Sequence, residues 1–491
     1  MLAVSLISGG KAHAATIEVA TGSDETTVNA NCSLSEAIIN INNGDATSYP
    51  ECTGTGVFGT DDTITIPTGT VTLVANLPYI TNPLTISGAG VGHSEINGGG
   101  VYLGLAANSG LSVHDLTVTA FHRYGIYSTS ADTTIERVEV DGTNATFDTG
   151  LNSNGFGVIV TNTAANPIEA VINNLHIHNI TTTVTDNTFP LMVTTGLDSP
   201  GTTGNAHATI RNVTVEDVHG AGNVFALIAA AGMNSFGFGT GILQSEISNV
   251  TITNIHSSAG PAAGILAAAI TSENRTTTVS VDNSTITDIS GQPAPLLGNA
   301  SAIGLGAFTG GFVDGINNTV NLTVRNMLIA NAGLSCVAAD ASAQFGANAS
   351  GTFNFTSQGG NLSDDNTCHP YFNQSTDQNN LSSLSSTLGA LSNNGGFVPT
   401  IPLLKGSPAI DSGVNVSGLA TDARLAVRPQ GSAYDSGAYE SPYTKSVASL
   451  ASTGSNSELF VAVAVGTILA STLILLGFSV LQTRSFSNNH I

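Results

Sequence analysis

Arg211, Glu216 and His219 stand close together in the chain and bring a fixed cation, a carboxylate and an imidazole into one short stretch. Such groups can hold an anionic substrate, hand a proton to a leaving oxygen and take one from carbon or water. Cleaving a glycan chain asks for more. It needs either Ca2+ held by several carboxylates beside an Arg or Lys base, or two carboxylates flanking the bond within about 10 Å of each other in one groove. His256, Thr253, Asp282 and Thr287 recur at the same phase further along, so the constellation is sparse. An isolated Arg, Glu and His on a repeated scaffold read as solvated side chains before they read as catalysts. Arg211, Glu216 and His219 are therefore the first residues to test, no metal or cofactor is expected, and Ca2+ enters only under the cleavage reading. His219-Gly220 stands alone, without accompanying Asn-Thr-Asp, Asp-Asp or Arg-Ile-Lys motifs, and neither a phosphate loop nor a diagnostic Ser-His-Asp order is present.

The elements that must position these side chains are set by a repeat. A phrase of Asn, apolar, any, apolar, any, Asn or Asp, then apolar or Ala begins at Asn174, Asn212, Asn249, Asn283 and Asn326. Its second polar position falls at Asn179, Asp217, Asn254, Asp288 and Asn331. Apolar residues recur at steps of two, the inward period of a strand, except at two steps of three. Each longer step fits a bend whose last residue is Asn or Asp, types that tolerate the left-handed region and bond their own backbone. The copies lie 38, 37, 34 and 43 residues apart, with fainter ones at Leu116/Val118 and Val138/Val140, which suits one coil per repeat with loops of unequal length. Stretches such as Val224 to Ala231 and Gly264 to Ile270 supply a third wall. The expectation is an all-β, single-stranded parallel β-helix in which amides stack over amides and line the interior. His176 and His178 alternate with inward Leu175 and Ile177 and are expected to face solvent.

Composition narrows the partners. Of 491 residues only 9% are charged, 11 Lys+Arg against 34 Asp+Glu, for a net charge of −23. Phosphate binding draws on clustered Lys and Arg, so nucleic acid is excluded as a partner. An anionic bilayer would repel the chain, so any membrane attachment must be hydrophobic. Four Cys form two local pairs, Cys32 with Cys52 and Cys336 with Cys368, which in an exported chain reads as two disulfides stapling the ends. A zinc site is the competing reading, disfavoured because the pairs lack close spacing and a His cluster.

Residues 1–15 read as the tail of a secretory signal, with Ala12-His13-Ala14 before Ala15. Leu459 to Leu481 gives 23 residues without a charge, enough for a transmembrane helix. Just ahead stand Leu450, Ala451, Ser452, Thr453 and Gly454. That order resembles a cell-wall sorting signal, which implies cleavage by a sortase between Thr453 and Gly454; a plain membrane anchor is the alternative.

Cys32-Ser33-Leu34-Ser35-Glu36-Ala37-Ile38, followed by Asp61-Asp62-Thr63-Ile64-Thr65-Ile66-Pro67, resembles the N-terminal domain of a family of bacterial surface proteins named for Cys-Ser-Leu-Arg-Glu-Ala-Ile, with Ser35 in place of Arg. Leu388-Gly389-Ala390-Leu391, Asn393 to Gly396, Gly406 to Gly413, Asp422 with Arg424 and Arg428-Pro429, and Asp435 to Glu440 resemble in order the closing domain of β-helix surface proteins with interchangeable anchors. The two resemblances imply a helical cap on the first coil and a right-handed, pectate-lyase-like β-helix on a bacterial surface, without implying a reaction. The chain divides into a signal remnant (1–15), cap and first coils (16–100), repeats (101–335), closing domain (336–443), linker with the sorting-like motif (444–458), transmembrane helix (459–481) and tail (482–491). The functional expectation is an adhesin-like or glycan-binding envelope protein meeting a glycan or host surface, with polysaccharide lyase or glycoside hydrolase as the alternative.

Overall fold

A computed structural model describes residues 14–59, 61–148, 154–183, 187–197, 204–235, 241–293 and 299–445. Most of the signal remnant, the motif Leu450 to Gly454, the apolar run 459–481 and the tail lie outside the described residues. Among the described residues no helix is long and apolar enough to cross a membrane. Ala14 and Ala15 already belong to the first coil: Ala15 is buried and donates its N–H to Asp62 Oδ1 at 2.7 Å.

The body is an all-β parallel solenoid. Ten successive parallel pairings join eleven strands into a first wall, from Thr16–Glu18 through Ala206–Gly220 to Ser350–Ser357. At about 4.8 Å per rung this is a rod about 50 Å long. Register is kept throughout: Ile17, Ile64, Ile86, Val113, Ile135, Ile172, Ile210, Ile247, Val281 and Val324 form one inward column, and all are buried in one continuous apolar core. A second column runs Val118, Val140, Ile177, Val215, Ile252, Ile286 and Ile329 along the next wall. The third wall is a separate sheet of eight strands, including Asn223–Ser235 and Ala262–Thr271. Its outer side is also apolar, with the rings of Phe156, Phe189 and Phe225 in a row 5.6 and 5.8 Å apart. Burial on both faces explains why these strands read as unbroken apolar runs.

Both corners flanking the second wall fall where the repeat places them. All ten polar positions of the phrase have φ between 47° and 56°, a region that costs other L-residues about 1–2 kcal/mol. In the fainter copies Asp115 and Arg137 occupy the first corner, and the guanidinium binds the carboxylate at 2.6 and 2.8 Å instead of continuing an amide ladder. The second corner alternates types. Asn254 donates to Asp217 at 2.9 Å and Asn331 to Asp288 at 2.5 Å, so no carboxylate stacks directly on another; Asn179 donates at 3.0 Å to Asp141, which lies one residue before the corner of its own coil.

The first-corner amides depart from the expected inward ladder. Asn249 donates to Asn212 Oδ1 and Asn326 to Asn283 Oδ1, but Asn212 donates to Asn173, and Asn249 Oδ1 and Asn283 Nδ2 have no partner. Nor do these side chains line the interior. They lie on the outer edge and are covered by the chain's last stretch, Asn249 and Asn326 also donating to the carbonyls of Thr421 and Val414. After Leu362–Ser363 the chain stops adding coils and runs back along the second wall. Thr214 Oγ1 donates to Pro399 O, Ala438 N to Thr285 Oγ1 and Ser436 Oγ to Gly360 O. This return segment buries outward residues such as Thr251, Thr285, Thr287 and Leu328.

With little regular structure of its own, the return segment is held by carboxylates that accept backbone N–H groups. Asp411 accepts from Ala433 and Lys445, Asp435 from Asp411 and Ser441, and Glu440 from Gln430 and Asp435. Arg428, fully buried, donates to Glu440 and to the carbonyls of Asp435 and Gly437 at 2.7–2.9 Å. Burial and the Glu440 charge push the Asp435 carboxyl up to about 6.

The N-terminal end carries the helix Leu34–Asn43, started by a Ser33/Glu36 capping box. Leu34, Ala37, Ile38 and Ile41 extend the core. Ser35 is bonded through N–H and O–H to the buried Asp24 at 2.9 and 2.6 Å. The disulfides are Cys32–Cys52 and Cys336–Cys368, and no cysteine is free among the described residues.

Asn249→Gly should lower the urea midpoint modestly, by the equivalent of about 1–2 kcal/mol for two hydrogen bonds. Asn249→Leu should cost about 3 kcal/mol, because strain at φ 55° adds to the same loss. Equal effects of the two replacements would show that the corner conformation is not what Asn249 supplies.

Candidate functional site

Two polar surfaces emerge once the coils are stacked. The first is a groove between the outer face of the first wall and the return segment. One cleft of about 320 Å3 is lined by Asn173, Thr209, Arg211 and Asn249 against Gly418 to Thr421. A second of about 280 Å3 is lined by Glu246, Ser280, Asp282, Thr323 and Arg325 against Val416 to Leu419. Both include Arg211, Gly418 and Leu419. Outward positions alternate with the core columns, so the groove crosses five coils in register, about 19 Å along the axis. Its charges balance locally in an acidic chain. Arg325 is held by Asp282 through two bonds of 2.8 and 3.1 Å. Arg211 is different: Glu246, its ion-pair partner, is 3.8 Å away, beyond hydrogen-bond reach, and the guanidinium is 45% exposed.

The second surface lies on the outside of the second wall, N-terminal to the part that the return segment covers. Strand pairing sets Thr117 beside Glu139 beside His176, and Thr119 beside Asp141 beside His178. Glu139 Oε1 meets His178 Nε2 at 3.1 Å and His176 Nδ1 at 3.8 Å. Glu139 Oε2 accepts from Thr117 Oγ1 at 2.9 Å. His176 Nε2 bonds Glu216 Oε1 at 2.8 Å, and the two imidazoles stack 4.2 Å apart. Asp141 Oδ1 stands 3.8 Å from His178 Nδ1, held by Thr143 and Asn179. His176 and His178 do leave the core outward, as alternation requires, but their side chains are only 14% and 16% exposed because carboxylates from neighbouring coils enclose them.

Arg211, Glu216 and His219 are not brought together. Arg211 precedes the first corner and lines the groove, Glu216 belongs to the His176 cluster, and His219 lies past the second corner, paired with Asp217 at 2.8 Å. Thr253 and Thr287 bond each other in a buried position, and His256 contacts Ser290. Two adjacent acid pairs, Asp61-Asp62 and Asp364-Asp365, stand in the terminal regions, and their bonds are mainly to the backbone. Asp62 accepts from Ala15 and Gly59, while Asp364 and Asp365 accept from Asn331, Ser335 and Thr367. The residues missed from sequence are Glu139 and Asp141. Their signal was there, since superposing Val138-Glu139-Val140-Asp141 on Leu175-His176-Ile177-His178 places each acid beside a histidine.

The electrostatics follow from this packing. The hydrogen bond from His178 holds the Glu139 carboxyl low, against burial. For His178 burial opposes the charged form, but the bond to Glu139 and the charges of Asp141, Glu139 and Glu216 outweigh it and raise its pKa. The imidazolium contribution to stability is therefore complete below about 6.5 and lost as pH rises through the raised folded value. The carboxylate contribution is complete above about 4.3 and lost as pH falls through the lowered folded value. In metal-free buffer, the melting-temperature advantage of the natural chain over His178→Gln should be greatest at about pH 5–6 and shrink by pH 8. An advantage that grows with pH would reverse the assignment. Comparison with protein-family models, with curated proteins and with solved structures finds no match to this chain.

Proposed function

We propose that the protein is displayed on a bacterial envelope and binds an extended glycan along the groove between its first wall and its return segment. The observation that carries this reading is Arg211, whose exposed guanidinium faces the groove without a hydrogen-bonded acid. Around it stand hydroxyls and amides of Asn173, Thr209, Ser280 and Thr323 in registered rows. Repeated rows at a fixed spacing suit a repeating, polyhydroxylated ligand, and a donor-rich cation suits its hydroxyl or carboxylate groups. The two disulfides support an oxidising, extracellular setting. The sorting-like motif and apolar run support attachment through a sortase or a membrane helix. The motifs at both ends support a right-handed β-helix like those of the surface proteins they resemble.

A specific observation keeps cleavage as the second reading. Glu139 and Glu216 both contact the one imidazole of His176, at 3.8 and 2.8 Å, so they fall within the roughly 10 Å that paired-acid chemistry requires. A panel of neutral and acidic polysaccharides, assayed with and without Ca2+, separates the readings. Retention without shortening is expected, weakened about tenfold or more by Arg211→Ala, the scale of one charged hydrogen bond. Shortened chains that disappear in Glu139→Gln would establish the enzyme instead. Absence of both retention and cleavage across the panel would remove the glycan reading.

A further inference from the structure

We propose that Glu139, His176 and His178 form a binding site for a divalent transition-metal ion of the Zn2+ type. Three ligand atoms, one from each residue, lie within 4.8 Å of one another. Glu139 Oε1 is the common vertex, 3.1 Å from His178 Nε2 and 3.8 Å from His176 Nδ1. Tetrahedral Zn2+ with bonds of about 2.0–2.2 Å sets its ligand atoms about 3.3 Å apart, so these separations fit with small side-chain adjustments. Two imidazoles and one carboxylate are also the right chemistry. Ca2+ and Mg2+ want shells made of oxygen, whereas imidazole favours Zn2+ and its neighbours.

The surroundings add an independent argument. A metal-bound histidine normally donates its remote N–H to a carboxylate or carbonyl, which fixes its tautomer and ring. His176, with Nδ1 turned toward Glu139, has Nε2 on Glu216 at 2.8 Å. His178, with Nε2 on Glu139, has Nδ1 facing Asp141 at 3.8 Å. Glu139 itself is steadied by Thr117 on its second oxygen. The ligands sit on two adjacent strands, Thr133–Asp141 and Ile168–His178, locked in register by eight residue pairs, so the site is built on rigid backbone. Three protein ligands leave a coordination position for water or for a hydroxyl or carboxylate group, as in sites where Zn2+ acts on a ligand. The inference stands apart from the Arg211 groove, since metal binding is measured without any glycan.

The test is a Co2+ titration of the full chain without an affinity tag, followed by Zn2+ displacement. One saturable equivalent is expected, with the visible absorption of a tetrahedral or five-coordinate ion, displaced by Zn2+ but not by millimolar Ca2+. His176→Ala and His178→Ala should each abolish the band. Glu216→Gln, which changes a positioning residue, should weaken affinity about 10- to 100-fold while keeping the spectrum. His256→Ala, on a separate His pair with His219, should change nothing. Should the alanine variants fail to fold, the natural chain decides alone: Zn2+ must raise its melting temperature and a chelator reverse the rise. No band and no thermal shift, or a band that survives loss of both histidines, overturns the site.

Discussion

The constraint on which the rest depends is the left-handed backbone at two corners of each of the five strong repeats. A strand side chain changes face with each residue, so a corner displaced by one position would turn the Ile and Val columns outward and bring Thr, Glu and His into the core. Asn and Asp at these corners hold φ near 50° at low cost. They also supply the hydrogen bonds that tie one coil to the next. Register fixed in this way is what sets Glu139 beside His176 and Arg211 above Ser248. Neither polar surface has a framework of its own.

The two corners solve different electrostatic problems. The first is buried under the return segment and is neutral in the five strong copies, since carboxylates there would be desolvated. The second is more open and admits Asp at alternate coils, each taking an N–H from an Asn above it. Inside the return segment the logic inverts. Asp422, Asp435 and Glu440 are all buried, but they accept several backbone N–H groups each and surround Arg428 and Arg424. Those carboxylates act beside three small apolar clusters, around Leu403 and Ile410, Val398 and Ala438, and Val416 and Tyr434.

Much of this was legible before any coordinates. The ten corner positions, the inward columns and the third wall follow from local rules: a period of two, a step of three, and the conformational tolerance of Asn; the two cysteine pairs were suggested only by their even number and separation. What stayed hidden depends on distant contacts. The return segment has no periodicity to betray its course, and its bonds join residues 185, 172 and 153 apart in sequence. The histidine cluster escaped for a different reason. One of its two strands belongs to a faint copy, in which Arg137 replaces the corner Asn, and Glu139 and Asp141 belong to no motif of their own that would single them out. Arg211, Glu216 and His219 looked close because the chain is short between them, yet two corners send them to different faces.

The return segment changes how the rod holds together. In a simple stack each coil touches only its neighbours, so order is lost one rung at a time from whichever end is weaker. Here a single stretch is clipped to rungs from Thr214 to Gly360, like a spine bound across the pages of a book. Those rungs must open together, whereas the coils before Ile168, which line neither cleft, keep the freedom to melt singly.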